Sequence, residues 1–212
     1  DKWKDYTSMA ITKTNSYYDN ILAASRWFIE DNKAKLGKKK DRTDWGMTHQ
    51  TVNASYNPTT NEICFPAAIL QPPFFNPDAD EPVNYGGIGV VIGHEMSHGF
   101  DDQGRQFDKD GNMSNWWTEE DAAKFNEKAA VLVRQFDAIE ILPGLHANGS
   151  LSLGENIGDH GGISIAFTAM QNALKGKTPE LIDGFTPEQR FYLSYATIWA
   201  QNITDEEKAR LT

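Results

Sequence analysis

The sequence has very little cysteine and no long apolar run. Cys64 is the single cysteine among 212 residues, so the chain cannot form an intramolecular disulfide. It stands between Ile63 and Phe65, a setting typical of a core residue rather than a reactive thiol. No apolar run reaches the length of about 18 residues that a membrane-spanning helix needs. These absences exclude a disulfide framework and predict no transmembrane segment in this chain.

Positive charge is scarce as well. The chain has 20 basic and 30 acidic residues and a formal net charge of −10. Its one dense basic run, Lys38-Lys39-Lys40, is typical of a solvated loop. Nucleic-acid binding requires clustered lysine and arginine, so the composition argues against nucleic acid as a partner. The hydrophobic content of 39% and the chain length are ordinary for a globular domain with a full core.

Hydrophobic periodicity and turn chemistry predict a mostly helical chain with one small sheet. Two short strands, at 49–56 and 62–65, flank the turn residues NPTTN and predict a hairpin. Helices are expected at five places in the sequence, namely residues 1–36, 86–100, 118–141, 153–174 and 187–202. The segment at 143–150 is expected to be a loop.

The strongest chemical signal is the run His94-Glu95-Met96-Ser97-His98. Positions i and i+4 share one face of a helix, so His94 and His98 can both direct a ring nitrogen at one zinc ion. Glu95 can then take a proton from a zinc-bound water. The alternative is a solvent-facing helix with two unrelated histidines. It fits poorly because residues 86–93 are apolar and rich in glycine.

A catalytic zinc site needs a third protein ligand. His49, His146 and His160 are scattered, whereas Glu155 and Asp159 are four residues apart and share a helix face. Glu155 is therefore the candidate third ligand, and Asp159 can hydrogen-bond a ligand histidine. In isolation an ordinary surface pair of acidic residues would explain these two positions better, and the nearby zinc motif reverses that preference.

Four segments resemble the catalytic domain of the neprilysin / endothelin-converting-enzyme family. They are VNASY at 52–56, FPAAILQPPFF at 65–75, GHEMSHGFDDQGRQFDKDGN at 93–112 and GENIGDHGG at 154–162. The resemblance implies an α+β, mainly helical fold: a thermolysin-like zincin (gluzincin) lobe with a small antiparallel sheet beside the zinc-motif helix. It further implies that residues 1–212 are a single catalytic-domain fragment. Its parts would be an N-terminal helical segment at 1–43, a zinc-peptidase core at 44–202 and a truncated end at 203–212.

Carried over residue by residue, the resemblance assigns one catalytic zinc ion to His94, His98 and Glu155. Glu95 would be the general base, and Asp159 would orient a zinc histidine. The expected role of His160, which stands where many relatives have another residue, is that of an outward-facing side chain.

The resemblance also predicts the substrate contacts. Asn53 and the backbone of Ala54 would hold the substrate's peptide groups, since an unpaired strand edge can accept an extended peptide. Four residues would line a hydrophobic pocket for the residue after the scissile bond: Phe74, Val91, Ile198 and Trp199. Ordinary core packing explains Val91 and Ile198 equally well. Three more matching charged residues are expected to form buried pairs around the site: Asp101, Asp102 and Arg105.

The implied function is zinc-dependent hydrolysis of small to medium peptides before bulky hydrophobic residues. The expected partners are peptide substrates and two further parts of the parent protein, meaning the natural polypeptide that contains this chain: an N-terminal helical lobe and a C-terminal segment. The family's later motif, Asp-x-His followed by Arg, does not occur before Thr212. We therefore expect the fragment to bind zinc but to cleave poorly.

A competing hypothesis from another class is a non-catalytic zinc- or peptide-binding module that keeps the peptidase fold. The resemblance favours an extracytoplasmic location, which could be periplasmic, cell-surface or secreted. The single cysteine favours a bacterial rather than an animal member of the family.

Overall fold

The computed structural model describes residues 4–43 and 45–212. The chain forms two compact units, which divide between Trp45 and Gly46. The boundary expected at residues 43 and 44 cannot be placed, because position 44 lies outside the described residues. The organisation as a single catalytic-domain fragment stays a prediction.

Among its described residues, the first unit contains one helix, α1 (Tyr17–Lys33). The Ser16 side chain caps its start by accepting a hydrogen bond from the amide of Asp19. The helix expected over residues 1–36 is therefore too long, and its first three residues lie outside the described ones. Thr12 lies before the helix. Its backbone exchanges two hydrogen bonds, of 3.1 and 3.0 Å, with the side chain of Asn20 in the first turn of α1. Such local bonds compete with helix formation.

The second unit opens with the predicted hairpin. Strands β1 (Ser55–Asn57) and β2 (Glu62–Cys64) pair antiparallel, with Ser55 opposite Cys64 and Asn57 opposite Glu62. The first strand is shorter than expected and begins later. A loop with a one-turn 3₁₀ helix (Ala67–Ile69) follows.

The apolar segment expected as one helix at 86–100 is divided into three pieces, and a short helix precedes it. Helix α2 (Glu81–Asn84) leads into a π-helical turn (Tyr85–Gly89), then α3 (Val90–Ser97) and a 3₁₀ turn (His98–Phe100). The π turn lies against backbone on two sides. The Gly86 position contacts the carbonyl of Phe191, and the Ile88 amide donates to the carbonyl of Phe74 at 2.7 Å.

Helix α4 (Glu119–Asp137) begins at the predicted cap, where the Thr118 side chain accepts from the amide of Asp121. It ends four residues earlier than expected, because β3 (Glu140–Leu142) turns back through Pro143-Gly144 to pair with β4 (Leu145–His146). The expected loop at 143–150 therefore contains half of a second hairpin. A Pro-Gly pair is a strong turn signal, but it does not by itself distinguish a hairpin from a loop.

Three helices complete the chain. Helix α5 (Leu153–Leu174) has the predicted bounds. Helix α6 (Pro187–Ile198) starts with a capping box of Thr186 and Gln189, and it ends before the predicted residue 202. A further helix, α7 (Asp205–Leu211), was not predicted, although the Thr204 side chain caps it by accepting from the amide of Glu207. Among the described residues, none of the helices has the length and apolar character to cross a membrane.

Two buried apolar clusters surround α3. The first joins Val90 to Ala166, Met170 and Phe191, and so links α3 to α5 and α6. The second consists of Ala54, Ile69 and Ile88, and joins the hairpin to the π turn. The zinc-motif helix is therefore held between the small sheet and two long helices.

Candidate metal centre

Helices α3 and α5 pack closely because glycines stand where they cross. A methyl group on Gly162 would lie 2.5 Å from the carbonyl oxygen of Val90 and 2.9 Å from the amide nitrogen of His94. A methyl group on Gly158 would lie 2.9 Å from the His94 ring. Any larger residue at these positions would push the helices apart. The glycines of the GENIGDHGG stretch therefore let α5 bring its carboxylates to the histidines of α3.

Two histidines face the same point from α3 and its C-terminal turn. The ring centroids of His94 and His98 are 4.5 Å apart. Each Nδ1 atom is hydrogen-bonded to a carboxylate, His94 to Asp159 at 2.9 Å and His98 to Asp101 at 2.7 Å. A ring that donates from Nδ1 keeps a lone pair on Nε2. Both rings are therefore held in the tautomer that offers Nε2 to a metal ion.

Glu155, in the first turn of α5, supplies the third donor. Its Oε2 atom is 3.3 Å from Nε2 of His94 and 3.8 Å from Nε2 of His98. One donor atom from each of the three residues lies within 4.8 Å of the others. Zinc bonds of about 2.0–2.1 Å in a tetrahedral arrangement separate neighbouring donors by about 3.3 Å. The spacing and the chemistry of these donors fit a zinc ion.

The same hydrogen bonds determine the electrostatics of the two histidines. Burial is the largest single influence on the pKa of His94 and lowers it, but the hydrogen bond to Asp159 and the charges of Asp159 and Glu95 together raise the net pKa. The hydrogen bond to Asp101 raises the pKa of His98 against a smaller opposing effect of burial. The two carboxylates therefore favour positive charge at this point, whether it is a proton or a metal ion.

Glu95 points into the same region and is almost fully buried, with 5% of its surface exposed. Burial raises its pKa above the usual value for glutamate, against the opposing effect of the nearby histidines and of a hydrogen bond from the backbone amide of Tyr56. That bond ties the carboxylate to β1. A buried glutamate with a raised pKa is suited to accept and release a proton near neutral pH.

The three residues expected to form charged pairs around the site have different contacts. Asp101 is 5% exposed, and besides His98 it accepts the amides of Gln103 and Gly104 at 2.8 and 2.6 Å. Asp101 thus supports His98 as Asp159 supports His94, a role that sequence reasoning missed. Its spacing of three residues from His98 is the signal that could have indicated it.

Asp102 and Arg105 do not pair with each other. Oδ1 of Asp102 is buried without a hydrogen-bond partner, near Gly154 at the start of α5. The guanidinium of Arg105 stacks over Phe125 at 4.5 Å and donates to Asn126 at 3.2 Å. In the part of the chain that the structure describes, Arg105 forms no ion pair.

The predicted pocket residues lie together. A cavity of about 200 Å³ is lined by two of the three donors, His94 and Glu155, and by Glu95, Asp159, Asn53 and the four expected pocket residues. Sequence reasoning missed the other lining residues, which are Val52, Ile69, Val90 and Tyr195. A larger cavity of about 680 Å³ lies on another face of α3, around Met96 and Phe100, and contains none of the three donors.

Asn53 and Ala54, which are expected to bind the substrate backbone, are hydrogen-bonded to each other. The Asn53 side-chain oxygen accepts from the amide of Ala54 at 2.9 Å. Ala54 itself is buried and is not part of the cavity wall. Binding of a peptide to the Ala54 amide would have to replace that bond, so this contact stays a prediction. The His160 side chain is exposed, as expected.

Known proteins with similar sequences include members of the neprilysin group. The sequence is 40% identical to Neprilysin-3 of Drosophila melanogaster and 42% identical to human neprilysin, over 96% and 92% of this chain. In each case the match covers 26% of the relative. The chain therefore spans about a quarter of the length of these curated relatives.

Solved structures agree with the fold. A zinc metalloprotease of Mycobacterium tuberculosis in complex with an inhibitor is 48% identical, with a TM-score of 0.83 over 93% of this chain and 31% of that one. PepO from Lactobacillus rhamnosis is 35% identical, with a TM-score of 0.79 over 97% of this chain and 31% of that one. The sequence model of peptidase family M13 matches residues 53–212, which include the whole metal centre, and the chain belongs to that family.

Proposed function

We propose that the parent protein is a zinc-dependent metallo-endopeptidase and that this chain carries its metal-binding and proton-transfer groups. One observation carries the proposal: three metal donors lie within 4.8 Å of one another, and two of them, His94 and Glu155, line one cavity together with the buried Glu95. Family membership supports it, since the family is one of peptidases.

The three donors would hold the ion, and Glu95 would move the proton. A zinc ion in this site supplies a Lewis acid that polarises a carbonyl and makes water nucleophilic near neutral pH. Glu95 takes a proton from the attacking water and transfers it to the nitrogen of the leaving amine. The Tyr56 amide holds the carboxylate of Glu95 in position. Asp159 and Asp101 hold the two imidazole rings in place throughout.

We further propose small to medium peptides with a bulky hydrophobic residue after the scissile bond as substrates. The cavity wall beside the donors is mostly aliphatic and aromatic, including Ile69, Phe74, Val91 and Ile198. Such a wall favours an apolar side chain through the area that it removes from water. Asn53, at the edge of the same cavity, would bind the peptide backbone.

We propose that the isolated chain cleaves peptides poorly. Among the described residues, the cavity wall includes no arginine and no histidine other than His94. A donor to the developing oxyanion is commonly worth about 10²–10³ in rate. The isolated chain would thus behave as the zinc- or peptide-binding module of the competing hypothesis, and the parent protein would supply the missing donors.

The test is hydrolysis of a fluorogenic peptide by the zinc-loaded parent protein and its Glu95→Gln variant. Removal of the base should reduce kcat by at least about 10²-fold and leave zinc content unchanged. Glu127→Gln, at an exposed position of α4, is the matched control and should behave like the parent. Undiminished activity of Glu95→Gln would reject the mechanism. Zinc binding without hydrolysis by the parent would favour the non-catalytic module.

The location and the remaining partners follow from the resemblance. We propose that the parent protein acts outside the cytoplasm and that a second helical lobe and a C-terminal segment complete its substrate chamber. Accessibility of the intact protein to an added protease, in whole cells and in lysed cells, would test the location.

A further inference from the structure

Tyr195 gives the cavity beside the metal centre a hydrogen-bonding group that the proposed function does not use. Its neighbours on the wall include Val91, Phe74 and Ile198, whose side chains are apolar. The remaining polar groups of the cavity belong to the metal centre and its support, to Asn53 and to the indole of Trp199. Tyr195 therefore belongs to a cavity wall whose groups outside the metal centre are mostly apolar.

Packing contacts of Tyr195 and of its neighbours on α6 fix the position of its phenol ring. It packs against the buried cluster that contains Val90 and Phe191. The next residue along α6 toward its start, Ser194, donates to the carbonyl of Val83 at 2.7 Å. Because Phe191 is fully buried as well, α6 cannot turn about its axis without breaking these contacts. The hydroxyl is thus placed in advance of ligand binding, which reduces the entropic cost of using it.

Two polar side chains, Asp159 and Trp199, act on the Tyr195 hydroxyl. Burial and the charge of Asp159 raise the pKa of Tyr195, and a hydrogen bond with the Trp199 side chain offsets part of that rise. An indole N–H can only donate, so the hydroxyl accepts from Trp199 and keeps its own proton for another acceptor. Asp159 is not that acceptor, since no hydrogen bond joins it to Tyr195 among the described residues, and its Oδ1 atom pairs with His94 at 2.9 Å.

The size of the cavity limits what can accept this proton. Sites for whole drug-sized molecules measure about 300–1,000 Å³, whereas this cavity measures about 200 Å³. It therefore suits one side chain of a longer peptide. A side chain that fills an apolar wall and also reaches the hydroxyl must have a large apolar body and an oxygen at its tip, and tyrosine has both.

We propose that Tyr195 is a specificity-determining residue, which makes the pocket prefer a tyrosine over a phenylalanine side chain after the scissile bond. This inference rests on the proposed function, because it concerns the substrate of the same site. The hydroxyl of the half-buried Tyr195 donates to the substrate's phenol oxygen. A phenylalanine in the same place leaves that donor without an acceptor.

The test compares two peptides that differ only by tyrosine or phenylalanine at the position after the cleaved bond. The zinc-loaded parent protein should show a kcat/KM about five- to tenfold higher for the tyrosine peptide, as expected for one neutral hydrogen bond. Tyr195→Phe should remove this preference and leave the zinc affinity unchanged. Tyr192→Phe is the matched control, since Tyr192 is on the same helix, is 50% exposed and stacks on Phe167 away from the cavity.

A second measurement separates failure of this inference from failure of the proposed function. The affinities of tyrosine amide and phenylalanine amide for the zinc-loaded protein are compared by calorimetry, which requires no cleavage. Tighter binding of tyrosine amide that is lost in Tyr195→Phe supports the inference even if neither peptide is hydrolysed. An unchanged tyrosine-to-phenylalanine ratio in Tyr195→Phe overturns it. Equal losses for both ligands together with weaker zinc binding also overturn it, because the hydroxyl would then be supporting Asp159.

Discussion

Replacing Gly162 with alanine would test whether the close packing of α3 on α5 builds the metal centre. The new methyl group would lie 2.5 Å from the carbonyl oxygen of Val90 and 2.9 Å from the amide nitrogen of His94. Both are backbone atoms of α3, so no side-chain rotation relieves the overlap. To reach an ordinary contact distance of 3.4 Å, the two helices would have to separate by about 0.9 Å at this point.

The expected effect on stability is modest, and the effect on zinc binding is larger. Overpacking costs about 1–3 kcal/mol, and the higher helix propensity of alanine offsets about 1 kcal/mol, so the free energy of unfolding should fall by about 0–2 kcal/mol. The donor atoms of His94 on α3 and Glu155 on α5 are 3.3 Å apart. Zinc–ligand distances tolerate only about 0.2 Å. We therefore expect zinc affinity to fall by at least about tenfold.

Zinc dissociation constants would be measured by competition with a chromophoric chelator, and free energies of unfolding by guanidinium titration of the metal-free protein. Gly89→Ala is the matched control, because this helical glycine is also near α5 but its new methyl group would lie 3.4 Å from its nearest neighbour. It should bind zinc as the parent protein does. Equal zinc affinity of the two variants would refute the proposed role of the glycine contact.

Two further predictions concern the support of the site. Asp101→Asn weakens the 2.7 Å hydrogen bond to His98 and should lower zinc affinity about 10–100-fold, whereas parent-like affinity in chelator competition would contradict the role given to Asp101. Arg190→Met removes the buried partner of Asp80, 2.7 Å away, and should lower the free energy of unfolding by about 3 kcal/mol in a denaturant titration. Lys177→Met breaks an exposed ion pair and should lower the free energy of unfolding by less than about 1 kcal/mol. Equal losses of stability in Arg190→Met and Lys177→Met would contradict the expected difference between a buried and an exposed ion pair.

Helix starts and the histidine spacing were readable from the sequence because they depend on neighbours within one or two turns. Thr118 accepts the amide of Asp121, and Thr186 forms a capping box with Gln189. The interval between His94 and His98 is one helical turn, so any helix places both rings on one face. The apolar and small residues of α5 likewise predicted its bounds.

The sequence prediction was wrong where a local pattern had two outcomes. The Pro143-Gly144 pair is compatible with a loop or a hairpin, and only the pairing of Glu140 with His146 decides for the hairpin. The segment before Tyr17 has helix-compatible residues, yet the bonds between Asn20 and Thr12 hold it in another conformation. Helix α7 was missed because its seven residues are too few for a clear periodic signal.

The sequence by itself determined the chemistry of the site: two imidazoles on one helix face, a glutamate between them, and two carboxylates one turn apart. The tertiary structure alone decided that Glu155 comes within 3.3 Å of His94 and that Tyr195 lines the cavity. The physical reason is the range of the interactions. Helical spacing follows from backbone hydrogen bonds between near neighbours, whereas the distance between α3 and α5 follows from steric contact of residues far apart in the chain, which glycines allow to be short.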